Sequence, residues 1–525
     1  MYFANGSSSW SKRKVLLLLC FPSSVTSLFG FRQGQVSGST CRSSRIRHHD
    51  AFARVIRIRA GSETKEDAVD EQGGERTFKM DPVLIHDDQD GTEPPRRAII
   101  LMDGFCRYHG MYLASRAQEV PGTAVIPVLS NYLYDFLMAT QPENAHEFQR
   151  MRMPQTIEQI KEWKGQLPSG LELVGVYCES DSGLADAETL RKVLNTSRRD
   201  DPDQLEARRN KFLMQEWIRT KTDLPVVQQK LCETLQDAQE FASGLFNDAH
   251  EYVVVKPYRG VASESVHLCR CPDDIAEAYR SIIGSAVFGS KNQHESVLVQ
   301  EFLSGQEYAV DVVSRDGDHK IAAIWRYDKR PANGASFCYF QTRLVDAAMD
   351  AVVEGICRYV KTALTALGVR HGLSHNEIIV TSDRGPMLVE VNCRQHNMDF
   401  APLTMACVGY NALDLTLVSF LGDEEDWDRF PDLPVLRGHG CMVHLVNYAT
   451  GTLKQVKHLD EMSTSDSFLD GEVYEYFLSP GTEIKPTIDI RSDAGWVQLI
   501  NESEEDLVKD YEQIVEWMPS MFEVE

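Results

Sequence analysis

The stretch from Ser374 to Arg394, SHNEIIVTSDRGPMLVEVNCR, constrains the fold of this chain more than any other. Apolar and β-branched residues on both sides of DRGP (383–386) predict two short strands, 377–380 and 387–391, joined by a tight turn. Alternate side chains of a strand share one face, so Glu390 and Asn392 point the same way. The hairpin returns Glu377 to a position beside them.

This cluster of two carboxylates and one amide predicts a metal site. Like charges at such a distance repel each other unless a cation lies between them. Oxygen ligands suit Mg²⁺ held together with a substrate phosphate, with Mn²⁺ as an alternative. Arg394 can place a guanidinium on the anion that the metal binds. The alternative interpretation is an exposed hairpin with solvated acids.

The composition is that of a globular protein and argues against two classes of function. The 525 residues are 42% hydrophobic and 25% charged, which allows several domains, and no apolar run approaches the roughly 20 residues of a membrane helix. The formal net charge is −24, although residues 1–60 hold ten basic residues and one acid. A nucleic-acid backbone would repel the acidic remainder. Twelve scattered cysteines without a CxxC pair favour free thiols in a reducing compartment.

The first 95 residues read as a leader and a linker. In residues 1–60, a basic triplet precedes a short apolar run, and a Ser- and Arg-rich stretch follows. This order resembles the bipartite leaders of secondary plastids and predicts a plastid protein, with a mitochondrial or secretory leader as the alternatives. Residues 61–95 are acidic and poor in apolar residues, which predicts a disordered linker.

Residues 96–200 are predicted to form a small α/β domain. Apolar runs at 98–102, 123–129 and 171–177 predict strands, and a helix capped by Thr156 precedes the third. Strands that alternate with helices predict a parallel sheet. The single Gly104 does not make a dinucleotide fingerprint, so a hydride-transferring enzyme is disfavoured.

Five segments follow one another along the chain: RRNKFLM (208–214), VVVKP (253–257), VQEFLSGQEYAVDVV (299–313) and, within the hairpin, HNEIIV (375–380) and VEVNCR (389–394). In this order and at this spacing they resemble the ATP-grasp superfamily and, within it, the carboxylate–amine ligases of amino acids and dipeptides. The resemblance covers about residues 96–425. It implies that the α/β domain is followed by a two-lobed ATP-grasp domain over 201–425. A small α+β domain over 426–525 is predicted to close the chain.

The resemblance also implies roles for individual residues. The nucleotide contacts are implied for Lys211 and Lys256 at the phosphates, for the backbone of Gln300, Glu301, Phe302 and Leu303 at the adenine, and for Glu307 beyond them. The implied magnesium ligands are Glu377, Glu390 and Asn392, and Arg394 steadies a phosphorylated carboxylate. Ser263 belongs to the implied phosphate-covering lid, 258–265. This lid is poorer in glycine than usual, and Glu264 adds a negative charge to it.

The implied reaction is an ATP- and Mg²⁺-dependent joining of a small carboxylate, an amino acid, to an amine through an acyl phosphate, with release of ADP and phosphate. No nucleic-acid or membrane partner is expected, and a homodimer is left open. The alternatives are an ATP-grasp enzyme of the purine-biosynthesis or biotin-carboxylase type, and a non-catalytic nucleotide-binding module.

Three weaker patterns remain. His371 and His375 have a zinc-like spacing, but Gly372 interrupts them and a strand follows, so zinc is disfavoured. His396 either faces the substrate or is a hydrogen-bonded structural histidine. Arg326, Tyr327, Lys329 and Arg330 precede a predicted glycine-containing loop, 331–336, and this basic loop either binds a substrate carboxylate or is solvated.

Overall fold

The structure, a computed structural model, describes residues 96–525 apart from 107, 247–250, 261–264, 288–291 and 348–350. The predicted leader and linker lie outside the described residues. The described chain divides into two compact units, residues 96–197 and residues 198–525.

Residues 96–197 form the parallel sheet that the sequence predicts. Strand β1 (Arg97–Met102) lies between β2 (Thr123–Val128) and β3 (Glu172–Cys178), and both neighbours run parallel to it. Parallel neighbours need crossover connections, and their buried strands are apolar because helices cover them. The helices are α1 (Gly110–Gln118), α2 (Asn131–Thr140), α3 (Ala145–Met151), α4 (Ile157–Gly165) and α5 (Leu184–Leu194).

Side-chain caps fix where two of these helices begin. The Ser130 hydroxyl accepts the N–H of Leu133 at the start of α2. Thr156 and Gln159 form a reciprocal capping box at the start of α4, which confirms the predicted Thr156 cap. Such a cap contributes about 1 kcal/mol to helix stability.

The unit 198–525 begins with two short helices and a four-stranded antiparallel sheet. The helices are α6 (Leu205–Arg209) and α7 (Lys211–Lys221), and the strands are β4 (Gln229–Cys232), β5 (Val253–Lys256), β6 (His267–Cys269) and β7 (Val297–Glu301). The strand order is β4-β7-β5-β6. Helices α8 (Leu235–Leu245) and α9 (Pro272–Ile282) contribute to a core with Val253, Val255 and Val299. Lys256 is thereby placed at the carboxyl end of a buried strand.

A larger antiparallel sheet carries the predicted metal hairpin. Its first strands are β8 (Gly305–Arg315), β9 (Asp318–Ala332), β10 (Ala335–Leu344), β11 (Gly372–Thr381) and β12 (Gly385–Asn392), in the order β12-β11-β8-β9-β10. Helix α10 (Ala351–Ala366), which includes Ile356, and helix α7 share a core with Val310 of β8 and Ile378 of β11. Because strand side chains alternate, the opposite face is left for polar residues.

Three helices follow the hairpin: α11 (Ala401–Val408), α12 (Ala412–Leu421) and α13 (Glu424–Asp428). Within the described part of the chain, no single helix is long and apolar enough to cross a membrane. Only α11 and α12, bent by 89° relative to each other, pass that test as a pair.

The C-terminal residues extend the larger sheet and add a small one. The strands are β13 (His439–His444), β14 (Gly451–Val456), β15 (Phe468–Val473), β16 (Glu483–Ile484), β17 (Gly495–Asn501) and β18 (Phe522–Val524), and the helices are α14 (Leu459–Ser463), α15 (Glu475–Leu478) and α16 (Glu504–Met521). Strands β13, β17 and β15 continue the large sheet beyond β10, and β16-β14-β18 form a sheet of their own.

The run EVYEYF (472–477), whose residue types predict a strand, continues as a strand only to Val473. The chain there enters the helical turn α15, which buries Phe477 in the C-terminal core. Burial of that aromatic side chain outweighs the strand propensity of the preceding tyrosines and valine. The predicted fold class, an α/β unit followed by mixed α+β structure, is confirmed.

Candidate active site

The two acids predicted to bind a metal lie directly opposite each other on the β11–β12 hairpin. The register pairs Glu377 with Glu390, and His375 with Asn392. The amide N–H of Asn392 donates to Oε1 of Glu390 at 2.9 Å, which leaves the amide oxygen of Asn392 as its metal-ligating atom. Two carboxylates and one amide oxygen suit a hard divalent cation such as Mg²⁺. The structure therefore brings the three predicted ligands together in a set that fits the ion.

Two lysines from other elements approach the same acids. Lys211 is the first residue of α7, after a cap in which Asn210 Oδ1 accepts the N–H of Phe212 at 3.0 Å. Its ammonium forms an ion pair with Glu390 and donates to the carbonyl of Gly260 at 3.1 Å. Lys256 at the end of β5 is buried.

The charge state of Lys256 reflects its surroundings. Its pKa is lowered to about 8, chiefly by burial and then by the positive charge of Lys211, while Glu390 and Glu377 oppose the shift. This mutual influence means that both lysines and both acids belong to one electrostatic site.

Arg394 follows the hairpin directly and is buried. Its Nη1 donates to the carbonyl of Gln395 at 2.7 Å, and its backbone N–H donates to the carbonyl of Asn392 at 2.8 Å. The second bond folds the chain tightly just after the strand.

Glu307 and Lys329 form a partly buried ion pair beside this cluster. Lys329 Nζ lies 2.7 Å from both carboxylate oxygens of Glu307, and it also lies 4.3 Å from the ring centroid of Tyr339. Burial raises the pKa of Glu307, and the negative charges of Glu377 and Glu390 add to that shift. Burial acts to lower the pKa of Lys329, but the charge of Glu307 outweighs it and holds that pKa above its usual value.

The predicted loop 331–336 is shorter in the structure, because β9 extends to Ala332 and β10 begins at Ala335. The basic residues before it, 326–330, lie within β9, which pairs with both β8 and β10. Alternation along the strand exposes Arg326 and turns Tyr327 and Lys329 toward the polar face. Both Lys329 and Glu307 are named from the sequence, but their pairing across neighbouring strands was not predicted.

The predicted adenine hinge lies at the end of β7. The N–H of Glu301 donates to the carbonyl of Gln228 at 2.9 Å, so this N–H is not available to adenine. The predicted adenine contact would have to use the other backbone groups of 300–303. The Gln300 amide bonds to Gln229 at 3.0 Å. Phe302 and Leu303 follow the strand in the connection to β8.

The Glu301 side chain has a structural partner. Its carboxylate accepts Nη1 and Nη2 of Arg384, in the hairpin turn, at 2.8 and 3.1 Å. This two-pronged ion pair joins the four-stranded sheet to the metal hairpin.

Ser263 and the rest of 261–264 lie outside the described residues. Of the predicted lid, Tyr258, Arg259, Gly260 and Ser265 are described. The carbonyl of Tyr258 accepts the N–H of Lys211 at 2.9 Å, and Arg259 forms an ion pair with Glu206. The base of the lid is therefore tied to α6 and α7.

Sequence reasoning missed a third group, made by Asp311, His375 and His396. All three are buried, and their ligating atoms lie within 4.8 Å of one another. The sequence contains a signal for this group, since His375 lies two positions before Glu377 and Asp311 lies four positions after Glu307. At a period of two, each pair shares a strand face.

This third group is a hydrogen-bonded set. The rings of His375 and His396 are stacked, with centroids 3.9 Å apart and planes 25° apart. A histidine ligates through a lone pair in its ring plane, and two stacked rings do not direct such lone pairs at one ion. His371 lies elsewhere, 3.4 Å from Asp316, so the structure does not bring the two histidines with zinc-like spacing to one site.

The pKa values in this group follow from the contacts. Burial acts to lower the pKa of His375, yet the hydrogen bonds to Asp311 and Glu377 raise it to about 9. Burial and the charge of His375 lower the pKa of His396 to about 4. Burial acts to raise the pKa of Glu377, but His375 and then Lys329 and Lys211 lower it to about 2. His375 is therefore a cation between two carboxylates at neutral pH.

A comparison with known families decides what kind of domain this is. A family profile described as ATP-grasp domain matches residues 249–400. The chain contains an ATP-grasp domain. The matched span includes Lys256 and the whole metal hairpin, and the predicted resemblance to this superfamily is confirmed.

Individual relatives are distant. The chain is 25% identical over 342 residues to dapdiamide A synthase of Enterobacter agglomerans, an alignment that covers 64% of this chain and 76% of the relative. The structure of L-amino acid ligase from Bacillus licheniformis matches with a TM-score of 0.59 at 15% identity, over 83% of this chain and 100% of that chain. N5-carboxyaminoimidazole synthase from Aspergillus clavatus matches with a TM-score of 0.54 at 14% identity, over 80% of this chain and 98% of that chain. At these identities the two structures show the fold alone.

Lys256 gives the ATP-grasp site an expected pH dependence. Because its pKa is about 8, it carries its charge at lower pH and loses it as the pH rises through that value. The affinity for ATP should therefore fall about tenfold between about pH 7 and pH 9, since only the protonated lysine attracts the phosphates. Titration with a fluorescent nucleotide at each pH measures this. Lys256→Arg stays charged throughout and should show no fall, whereas an equal decline in both proteins would assign the titration to another group.

Proposed function

We propose that this chain is an ATP- and Mg²⁺-dependent ligase that joins the carboxylate of an amino acid to an amine. The carboxylate is activated as an acyl phosphate, and the products are an amide, ADP and phosphate. The observation that carries the proposal is the meeting of Lys211, Lys256, Glu377 and Glu390 in one electrostatic site, with Arg394 on the segment that follows the hairpin.

Each group has a task in this scheme. Lys211 and Lys256 neutralise the phosphates, and the Glu390 partner of Lys211 holds its ammonium at the metal end of the site. Mg²⁺ bound by Glu377, Glu390 and Asn392 supplies charge neutralisation at the terminal phosphate. Arg394 stabilises the negative charge that the phosphoryl oxygens carry during transfer.

The proposed reaction has two steps. An oxygen of the substrate carboxylate attacks the γ-phosphorus, and the bond from that phosphorus to the bridging oxygen of ADP breaks. The amine then attacks the acyl carbon, phosphate leaves, and the amine loses a proton. Phosphoryl transfer of this type depends on positioning and charge neutralisation more than on a protein nucleophile. The site contains lysines, acids and an arginine, which matches that requirement.

One observation favours amino-acid ligation over the alternatives. The alignment with dapdiamide A synthase, at 25% identity, covers 64% of this chain. A purine-type relative, phosphoribosylamine–glycine ligase of Allochromatium vinosum, is also 25% identical, but its alignment covers 41% of this chain. A non-catalytic module would need no acids paired across a hairpin, because two opposed carboxylates cost stability unless a cation is bound.

The test is a product assay. The purified protein is incubated with ATP, Mg²⁺ and the twenty amino acids in pairs, and nucleotide products are separated by chromatography. We expect ADP and phosphate to form with particular pairs, together with a dipeptide mass. Hydroxylamine should intercept the activated acid and give a hydroxamate. AMP and pyrophosphate as products would contradict the acyl-phosphate route, and turnover only with a ribonucleotide amine or with bicarbonate would favour the alternative enzymes.

A further inference from the structure

One buried group in the ATP-grasp sheet is not used by the proposed chemistry. The register of β8 and β11 sets Asp311 opposite His375, on the same face as the metal-binding acids. The proposed reaction needs neither residue to touch ATP or the substrates. Burying a carboxylate and an imidazolium is costly unless each is well paired, so their contacts indicate what they support.

Asp311 is held from two sides. Its Oδ2 accepts the indole N–H of Trp325, on strand β9, at 2.7 Å. Its Oδ1 accepts Nδ1–H of His375 at 3.3 Å. A carboxylate with both oxygens occupied has a fixed orientation, and it fixes the imidazole that it binds.

The other nitrogen of the same imidazole reaches the metal hairpin. Nε2–H of His375 donates to Oε1 of Glu377 at 3.4 Å. The imidazole therefore bridges two carboxylates, one buried behind the site and one facing it. His396 covers the ring by stacking on it, and Tyr327 holds His396 in turn through a 3.0 Å bond to its Nε2.

We propose that Asp311 and His375 are positioning residues for Glu377, and that this hydrogen-bonded chain sets the direction in which the Glu377 carboxylate faces its metal. The inference rests on the proposed function in one respect, namely that Glu377 ligates the metal. Outer partners of metal ligands change metal affinity by about 10- to 100-fold when they are removed. Without His375, Glu377 faces Glu390 across the hairpin and loses the hydrogen bond that the described residues give its Oε1.

The experiment measures metal binding apart from activity. Full-length protein with a non-hydrolysable ATP analogue is titrated with Mn²⁺, and free Mn²⁺ is followed by electron paramagnetic resonance. His375→Gln and Asp311→Asn should each weaken Mn²⁺ binding by about tenfold or more. Trp325→Phe, which removes one donor to Asp311, should shift affinity in the same direction. His371→Gln is the matched control, because it alters a buried histidine just before the same strand whose partner is Asp316.

A second readout separates positioning from damage to the fold. In steady-state assays, the His375→Gln enzyme should need more Mg²⁺ for half-maximal rate and should recover much of its kcat at saturating Mg²⁺. Nucleotide affinity in the presence of a chelator should stay within about threefold of the parent value, since Asp311 and His375 have no proposed contact with the nucleotide. Variants are compared only when they unfold within about 5 °C of the parent protein. If Asp311→Asn does not fold, His375→Gln and Trp325→Phe carry the test.

The outcomes distinguish this inference from the proposed function. Glu377→Gln should weaken Mn²⁺ binding more than the variants of Asp311, His375 and Trp325 do. Parent-like Mn²⁺ binding by Glu377→Gln would overturn the metal site itself. If Glu377→Gln weakens binding but His375→Gln and Asp311→Asn bind like the parent, the positioning role is wrong. The positioning role would also be wrong if His375→Gln weakened Mn²⁺ binding and weakened nucleotide binding in the presence of a chelator by the same factor.

Discussion

Replacing Glu390 with glutamine should lower ATP turnover by at least about 100-fold. The side chain keeps its shape but loses the charge that faces both the proposed metal and the Lys211 ammonium. Glu377 would then be the one remaining carboxylate of the hairpin pair. Coupled measurement of ADP release at saturating ATP checks the rate.

The control is Asp383→Asn, an acid-to-amide change in the exposed turn of the same hairpin. It should leave turnover within about twofold, because a surface charge of this kind contributes little. Thermal unfolding of both variants tests whether the loss of the Lys211–Glu390 pair damages the fold. Near-normal turnover by a folded Glu390→Gln protein would mean that the hairpin acids are not the metal site.

The hairpin could be predicted because its information is local. Two β-branched runs around DRGP specify the strands, and the period of two then puts Glu377, Glu390 and Asn392 on one face. The structure extends both strands by several residues, to Gly372–Thr381 and Gly385–Asn392, without changing that face. Gly385, at φ +73°, supplies the left-handed conformation that closes the turn.

The partners of these residues could not be predicted because they come from distant strands. Asp311 lies 64 residues from His375, and Glu301 lies 83 residues from Arg384. Which side chains meet across such gaps depends on strand register, and a shift of one residue reverses the faces. Register shifts occur between Glu377 and Ile378 and between Asp311 and Val312. A sequence pattern alone does not locate them.

The contacts of the basic residues at 326–330 could not be predicted from their charge either. These residues lie in β9, where alternate members of the run have separate tasks. Lys329 offsets the charge of Glu307, and Arg330 donates to Asp328 and to the hydroxyl of Tyr511. A strand in the interior of a wide sheet tolerates such residues where neighbouring strands supply partners. The plastid leader stays a prediction, since residues 1–95 lie outside the described part of the chain.

Replacing Arg394 with alanine should separate the chemical step from nucleotide binding. Acyl-phosphate formation, measured as hydroxamate produced with hydroxylamine, should fall by about 10²- to 10³-fold. The Kd for ATP should change by less than about threefold, because the proposed contact of Arg394 strengthens only as the phosphoryl group is transferred. The guanidinium is buried beside the hairpin and bonds locally to the carbonyl of Gln395, so thermal unfolding must be measured as well.

Arg394→Lys is the matched variant for this experiment. It keeps the positive charge but loses the planar fork that binds two oxygens at once, so its rate should lie between those of the parent and the alanine variant. If Arg394→Lys formed hydroxamate at the parent rate, the positive charge alone would be enough for this step. An alanine variant with parent hydroxamate formation but lost ATP affinity would instead make Arg394 a nucleotide-binding residue. The acyl-phosphate mechanism would then lack the group proposed to stabilise the phosphoryl oxygens during transfer.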